Sequence, residues 1–181
     1  MASNRLKINP AKSEFLWCTT DRRLHRIDNS AFRLADDNVV PTTYVRNLGA
    51  YFDALISMAT HVSRLVSTCF YQLRRVRVIR RSIPTSTTIQ IISSFVMSRI
   101  DYCNSLLAGL PASLDRVQSI LNLAARLIYG RAKHDHVTPI LRNKQHSLRV
   151  SERIQHKCCL LVYTALHGLV PSYISNLCTR V

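Results

Sequence analysis

Five arginines, Arg74, Arg75, Arg77, Arg80 and Arg81, fall within a span of eight residues, and no Asp or Glu occurs between Ala54 and Ile100. Arg64 and Arg99 bring that acid-free interval to seven arginines. Guanidiniums without acidic partners repel one another, and a row of phosphates relieves the repulsion while releasing counterions. At about 100° per helical residue the five cannot share one narrow stripe, so they are expected to wrap the end of a helix beside its Val76 and Ile79 face. The chemistry this suits is a grip on a phosphate backbone. A solvated basic face, or contact with acidic protein, is the plainer alternative. Arg116, Arg126, Arg131, Lys133, Arg142, Lys144 and Arg149 extend the basic character, with Tyr71, Tyr102 and Tyr129 interleaved. Those tyrosines suit stacking on bases or ordinary packing, and nothing in the pattern specifies base-edge readout.

Other chemistry has thinner support. His134-x-His136 flanks Asp135, and His156 precedes Cys158-Cys159, but neither group has zinc-finger spacing. Asp36-Asp37 lacks the third acid that a paired-metal site would want, and the adjacent Asn38 favours a hydrogen-bonded turn over Ala35–Asn38. There is no G-x-x-x-x-G-K-[ST] loop, G-x-S-x-G elbow or H-E-x-x-H helix, so ATPase, esterase and metalloprotease readings lose their usual anchors.

The elements that position these residues follow from periodicity. The chain has 181 residues, a formal charge of +15 and 47% apolar residues, enough to bury a core, so disorder by composition is excluded. No apolar run reaches the length of a membrane-spanning helix. Six cysteines without a secretory leader read as free thiols in a reducing compartment, mostly buried beside helical Leu and Val. Residues 13–20 and 30–34 suit strands, and a third is expected from Thr42, stopped or bent at Gly49. From Ser57 the period changes: Val62, Leu65, Val66, Cys69, Phe70, Leu73 and Val76 line one helical face. A second helix is expected from Ser86 or Thr87 toward Gly109, with Ile89, Ile92, Val96, Ile100 and Cys103 as its stripe. A third carries Leu114, Val117, Leu121, Ala124, Ala125 and Ile128 and ends at Gly130. Thr138-Pro139 suits a short cap and first turn. A last long helix runs from about Ser151 to Gly168 through Ile154, Cys158, Leu161, Val162, Ala165 and Leu166, with a final turn from Pro171-Ser172. The fold class expected is α+β, a small strand-rich head over residues 1–53 followed by a mainly α-helical bundle over 54–181.

The stretches NRLKINPAKSEFLW (4–17), YVRNLGAYFD (44–53), SRIDYCNSLLAGLPASLDRVQSILNLAARLIYG (98–130), HDHVTPIL (134–141) and LLVYTALHGLVPSYISNLC (160–178) resemble, in that order, the end of the reverse transcriptase of non-LTR, LINE-type retrotransposons. The resemblance implies an RNA-directed DNA polymerase, with the head as a palm remnant and the bundle as thumb and connection. It implies that Lys12 lies near the incoming nucleotide as an auxiliary catalytic lysine. Arg46 and Gly49 would belong to a primer-grip hairpin. Arg64, Arg74, Arg75, Arg77, Arg80, Arg81 and Arg126 would face an RNA/DNA template–primer duplex. The family's Asp-Asp strand precedes the Asn-Arg-Leu segment, so the chain is expected to be a truncated segment that starts inside something larger and binds without catalysing. No cofactor is expected in this chain, and Mg2+ only in the complete polymerase. Other polymerase regions are expected partners and a membrane is not. The setting is expected to be intracellular, with nucleus and cytoplasm both open, as is the oligomeric state. Lys144–Val150 departs from the family's Leu-His-Trp-Leu-Pro-Val, which puts packing between the third and last long helices in question. The alternatives are a non-enzymatic basic helical interaction protein, or a relic of a degenerate element copy.

Overall fold

Short extended segments precede a run of helices in the computed structural model, which describes residues 9, 12–27, 29–34, 37–132, 134–137, 139–141 and 148–178. The architecture is α+β, and the chain divides into two compact units, Met1–His61 and Val62–Val181.

In the first unit, β1 (Phe32–Leu34) pairs antiparallel with β2 (Asp37–Val39), and β3 (Tyr44–Asn47) with β4 (Ala50–Asp53). Leu48 and Gly49 both hold positive φ, 47° and 88°, as a tight two-residue hairpin loop with the right-handed strand twist requires. The expected third strand therefore does not stop at Gly49 but doubles back. The strand expected over residues 13–20 is reduced to a single parallel bridge between Phe15 and Pro41. Proline has no N–H to extend such a ladder, and the segment is held instead by the Thr42 N–H donating to Phe15 O at 2.8 Å and the Thr19 N–H to Ala54 O at 2.9 Å. Phe15 packs edge-on to Trp17 and stacks on Phe32, at centroid distances of 5.0 and 5.3 Å. Asp37 and Asn38 lie in β2 opposite Leu34 and Arg33, which corrects the expected turn, whose first half lies outside the described residues. Asp53 ends the hairpin by accepting from the Ser57 N–H and hydroxyl at 2.8 and 2.9 Å.

Helix α1 (Ala59–Ile79) spans the division between the units, and Val62, Cys69, Leu73 and Val76 of its expected stripe are buried. Burial pushes the Cys69 thiol up to about 11, against the opposing pull of the Arg99 guanidinium. Helix α2 (Thr85–Ile92) continues through a π turn, Ser93–Met97, into α3 (Ser98–Asp101). Ile92, Val96 and Ile100 are spaced by four, and each is at most 1% exposed. An ordinary α-helix would rotate such a series off one face, and the wider π turn offsets that drift. The helix does not reach Gly109: Tyr102 turns extended and Cys103 adopts φ 53°, after which a 3₁₀ turn, Asn104–Leu107, delivers Leu107 to the core.

Helix α4 (Pro111–Tyr129) lies deepest, with Val117, Ile120, Leu121, Ala124 and Ala125 fully buried. Proline opens its first turn and Gly130, at φ 61°, closes it. Residues 139–141 form a helical turn whose Leu141, with Val137, packs on Ala125. Thr138 and the departing segment 142–147 lie outside the described residues. Helix α5 (Val150–Leu166) does pack on α4: the Val150 N–H donates to Gln118 Oε1 at 3.0 Å. Glu152 reaches back to the Arg149 N–H at 2.8 Å, and Arg153 grips both carboxylate oxygens of Asp101 at 2.7 Å. Its stripe is buried only at Val150, Ile154 and Ala165, whereas the expected core residues Leu161 and Val162 are about half exposed. A four-residue helix, α6 (Ser172–Ser175), follows.

All six cysteines are free thiols, but Cys69 alone is buried, which corrects the expectation of mostly buried thiols. Cys18 and Cys159 are exposed because the short bridge at Phe15 and the bare half of α5 offer them no cover. Among the described residues no helix is long and apolar enough to cross a membrane.

Candidate nucleic-acid interface

Within the second unit the ends of α1 and α4 flank a groove of about 960 Å³. Arg74 and Arg77 reach it from α1, Arg80 and Arg81 from the 3₁₀ turn Arg80–Ser82, and Arg126 and Arg131 from α4 and the residue after its Gly130 cap. Leu73, Val78, Leu123 and Leu127 supply its apolar lining, and among the described residues no lining residue is acidic. The grouping has a local cause. Residues 74 and 77 are three apart and so share a face of α1, and the 3₁₀ turn that follows brings Arg80 and Arg81 to the same end, whereas Arg75 stands off that face. Arg75 instead lies over the exposed ring of Tyr71, 5.7 Å from its centroid.

The six guanidiniums are not equivalent. Arg80 is engaged on four sides: it donates to Leu127 O at 3.1 Å, Ile128 O at 2.8 Å, Ile83 O at 3.2 Å and Thr85 Oγ1 at 3.0 Å. Two of those acceptors are among the last carbonyls of α4, where a helix leaves C=O groups without intrahelical partners and presents the negative end of its dipole. Arg80 thus clips the end of α4 to the start of α2. Arg126 reaches Asp135 O at 3.4 Å, and among the described residues its buried Nε has no acceptor. Arg74, Arg77, Arg81 and Arg131 are exposed, and they are the residues placed to meet an anion at the groove.

The structure thus brings together five of the basic residues singled out by sequence, Arg74, Arg77, Arg80, Arg81 and Arg126. Arg64, exposed on α1, does not line the groove. Arg131 belongs to the groove but was counted only among the general basic residues; its position directly after a helix-ending glycine is the signal that marks it. Tyr71, Tyr102 and Tyr129 are absent from the lining, so the site offers charge and apolar contact and not an aromatic platform. In the first unit, Arg46 lies over the Tyr51 ring at 5.8 Å, and its N–H donates to Glu14 Oε2 at 3.2 Å. Gly49 occupies the hairpin loop, and Lys12 is exposed in a turn closed by its own N–H on Asn9 O at 3.1 Å. His134, Asp135 and His136 line a smaller cavity with Arg131 and Ile140. There the Asp135 carboxylate accepts from the Ala132 N–H at 3.1 Å, and among the described residues no three His, Cys, Asp or Glu side chains gather as a metal site.

No family model, no curated protein and no solved structure matches this chain. The designations reverse transcriptase, RNA-directed DNA polymerase, retrotransposon and LINE, which the resemblance of short motifs suggested, are corrected accordingly: none of the comparisons carries them, and the site is read from its own residues.

Proposed function

We propose that the chain binds nucleic acid through the phosphate backbone, using the groove between the ends of α1 and α4, and that binding rather than chemistry is its activity. The observation that carries this reading is the gathering, among the described residues, of six guanidiniums and no carboxylate along one groove. A planar guanidinium presents a fork of donors that matches two phosphate oxygens, so Arg74, Arg77, Arg81 and Arg131 suit successive backbone phosphates. Arg80, its donors committed to Leu127 O, Ile128 O, Ile83 O and Thr85 Oγ1, fixes the spacing of the two walls and leaves the anion to the others. Such contacts position a duplex and read no sequence. Four phosphate contacts correspond to a fall of log K with log salt of about −3.6.

The test is fluorescence anisotropy of a labelled RNA–DNA hybrid across a KCl series. Arg74→Gln, Arg77→Gln and Arg81→Gln are each expected to flatten the salt slope by about one. Arg75→Gln removes the same charge from outside the groove and leaves a steeper slope. Absence of binding at low salt, or equal effects from all four replacements, would sink the proposal. The apolar lining from Leu73, Leu123 and Leu127 favours a second reading, an acidic amphipathic protein segment laid in the same groove. Binding of such a peptide without binding of the hybrid would select it.

A further inference from the structure

From Cys158 to Cys178 the sequence contains no Lys, Arg, Asp or Glu, in a chain whose formal charge is +15. The stretch is also openly apolar. Leu160, Leu161, Val162 and Tyr163 are 46%, 48%, 47% and 55% exposed. Four consecutive residues at about 100° steps point around most of the helix circumference, so this half of α5 is bare on several sides. Leu169, Tyr173 and Leu177, at 68%, 72% and 81%, continue the surface through the following loop and α6.

The surface is held in shape by its own bonds. The His167 ring stacks on Tyr163 at 4.0 Å between centroids, and its Nδ1 lies 2.9 Å from Tyr163 O. The Leu169 N–H donates to Thr164 O at 2.9 Å, and the Ile174 N–H to Pro171 O at 2.9 Å. An ordered apolar face loses less conformational freedom on association than a loose one. Seven large side chains, each retaining on the order of 100 Å² of accessible surface, set an upper bound of roughly 700 Å² per copy, a little under the ~800 Å² of a standard interface and suited to a weak dimer.

We propose that this face is a self-association surface, occupied by a second copy of the chain related by a two-fold axis near the second half of α5. Charge chooses the occupant. Two copies repel wherever their arginines face one another, and the Cys158–Cys178 stretch carries no Lys or Arg of its own to set against its copy. A two-fold contact sets the same apolar patch against itself, so no separate complementary surface is needed. A lipid surface fits less well: interfacial helices carry Lys or Arg on the polar face to meet headgroups, and this stretch has neither. The proposal rests on different residues from the groove and stands whether or not nucleic acid binds there.

The experiment is light scattering on nuclease-treated full-length chain in high salt, over a concentration series through the micromolar range. The expected result is a mass that rises from the monomer to twice the chain mass and stops. Leu161→Lys with Tyr173→Lys places charge on the face at two exposed positions. It is expected to raise the dissociation constant at least tenfold with the helical circular dichroism unchanged. Val40→Lys, 64% exposed and outside both this face and the groove, is expected to leave the dimer intact. If the paired lysines impair folding, Leu161→Ala with Tyr173→Ala gives the same readout without new charge. A wild-type chain that stays monomeric overturns the proposal. So does a mass that climbs past the dimer without a plateau, a double variant that still dimerises, or sedimentation with neutral phosphatidylcholine vesicles in place of self-association.

Discussion

Arg80 and Arg81 are adjacent in sequence and both line the groove, yet their side chains do different work. Arg80 spends its donors on Leu127 O, Ile128 O, Ile83 O and Thr85 Oγ1, whereas Arg81 is exposed. Removing Arg80 strips partners from carbonyls at the end of α4, and hydrogen bonds from a charged donor contribute about 1.5–3 kcal/mol each before relaxation and water make up part of the loss. Arg80→Ala is therefore expected to lower the unfolding free energy by about 1–3 kcal/mol in urea, with Arg81→Ala within about 0.5 kcal/mol of the parent. Arg80→Lys is expected to recover little, because an ammonium cannot span acceptors arranged for a planar fork. If Arg80→Ala and Arg81→Ala melted alike, the clip would have no energetic weight. Sequence reading put all five arginines of residues 74–81 in one functional class. The division within them was illegible because Arg80's principal partners lie 47 and 48 residues away, across a helix pair whose approach no local pattern encodes.

At the scale of elements, legibility followed the strength of the periodic signal. Helix α4 ends where a glycine was expected to end it, since Gly130 supplies the left-handed residue that closes the helix. The stripe expected on α1 is buried at Val62, Cys69, Leu73 and Val76 and half-buried at Leu65, Val66 and Phe70, because steps of three and four over many residues leave little ambiguity. Residues 13–20 failed as a strand because β-propensity depends on the partner a segment finds, and this one found Pro41. The β3–β4 loop was half legible. Gly49 announced a bend, but Leu48 gives no sign of a left-handed position, where a branched side chain costs about 1–2 kcal/mol. Leu48 is 84% exposed, so little packing is lost on replacing it. Leu48→Asn makes the loop Asn-Gly, the favoured pair for this turn, and is expected to stabilise the hairpin by about 0.5–1 kcal/mol. Slower hydrogen exchange at the β3 and β4 amides is the measurement. Unchanged exchange would mean that the hairpin opens by a route in which the loop does not take part.

For the whole molecule, one quantity predicts opposite responses to salt. The +15 charge, concentrated in the second unit by an interval of seven arginines without an acid, raises the free energy of the compact state by self-repulsion. Surface ion pairs such as Arg153 with Asp101 work the other way, but 10 acids cannot pair 25 Lys and Arg, and exposed pairs contribute only about 0–1 kcal/mol each. Raising KCl from about 50 to about 200 mM shortens the screening length below the spacing of many of these charges. The free chain is therefore expected to melt a few degrees higher as salt rises. With the RNA–DNA hybrid in excess the sign reverses. Binding to the folded state adds RT ln(1 + [L]/Kd) to stability, and the same salt increase weakens a four-phosphate contact by roughly a hundredfold, taking most of that stabilisation away. Melting curves followed at the helical band should therefore converge, the free chain rising and the complex falling. A free chain that melts lower in salt would mean that ion pairs, and not repulsion, dominate its electrostatics. The groove would then have no unrelieved charge for a phosphate backbone to neutralise.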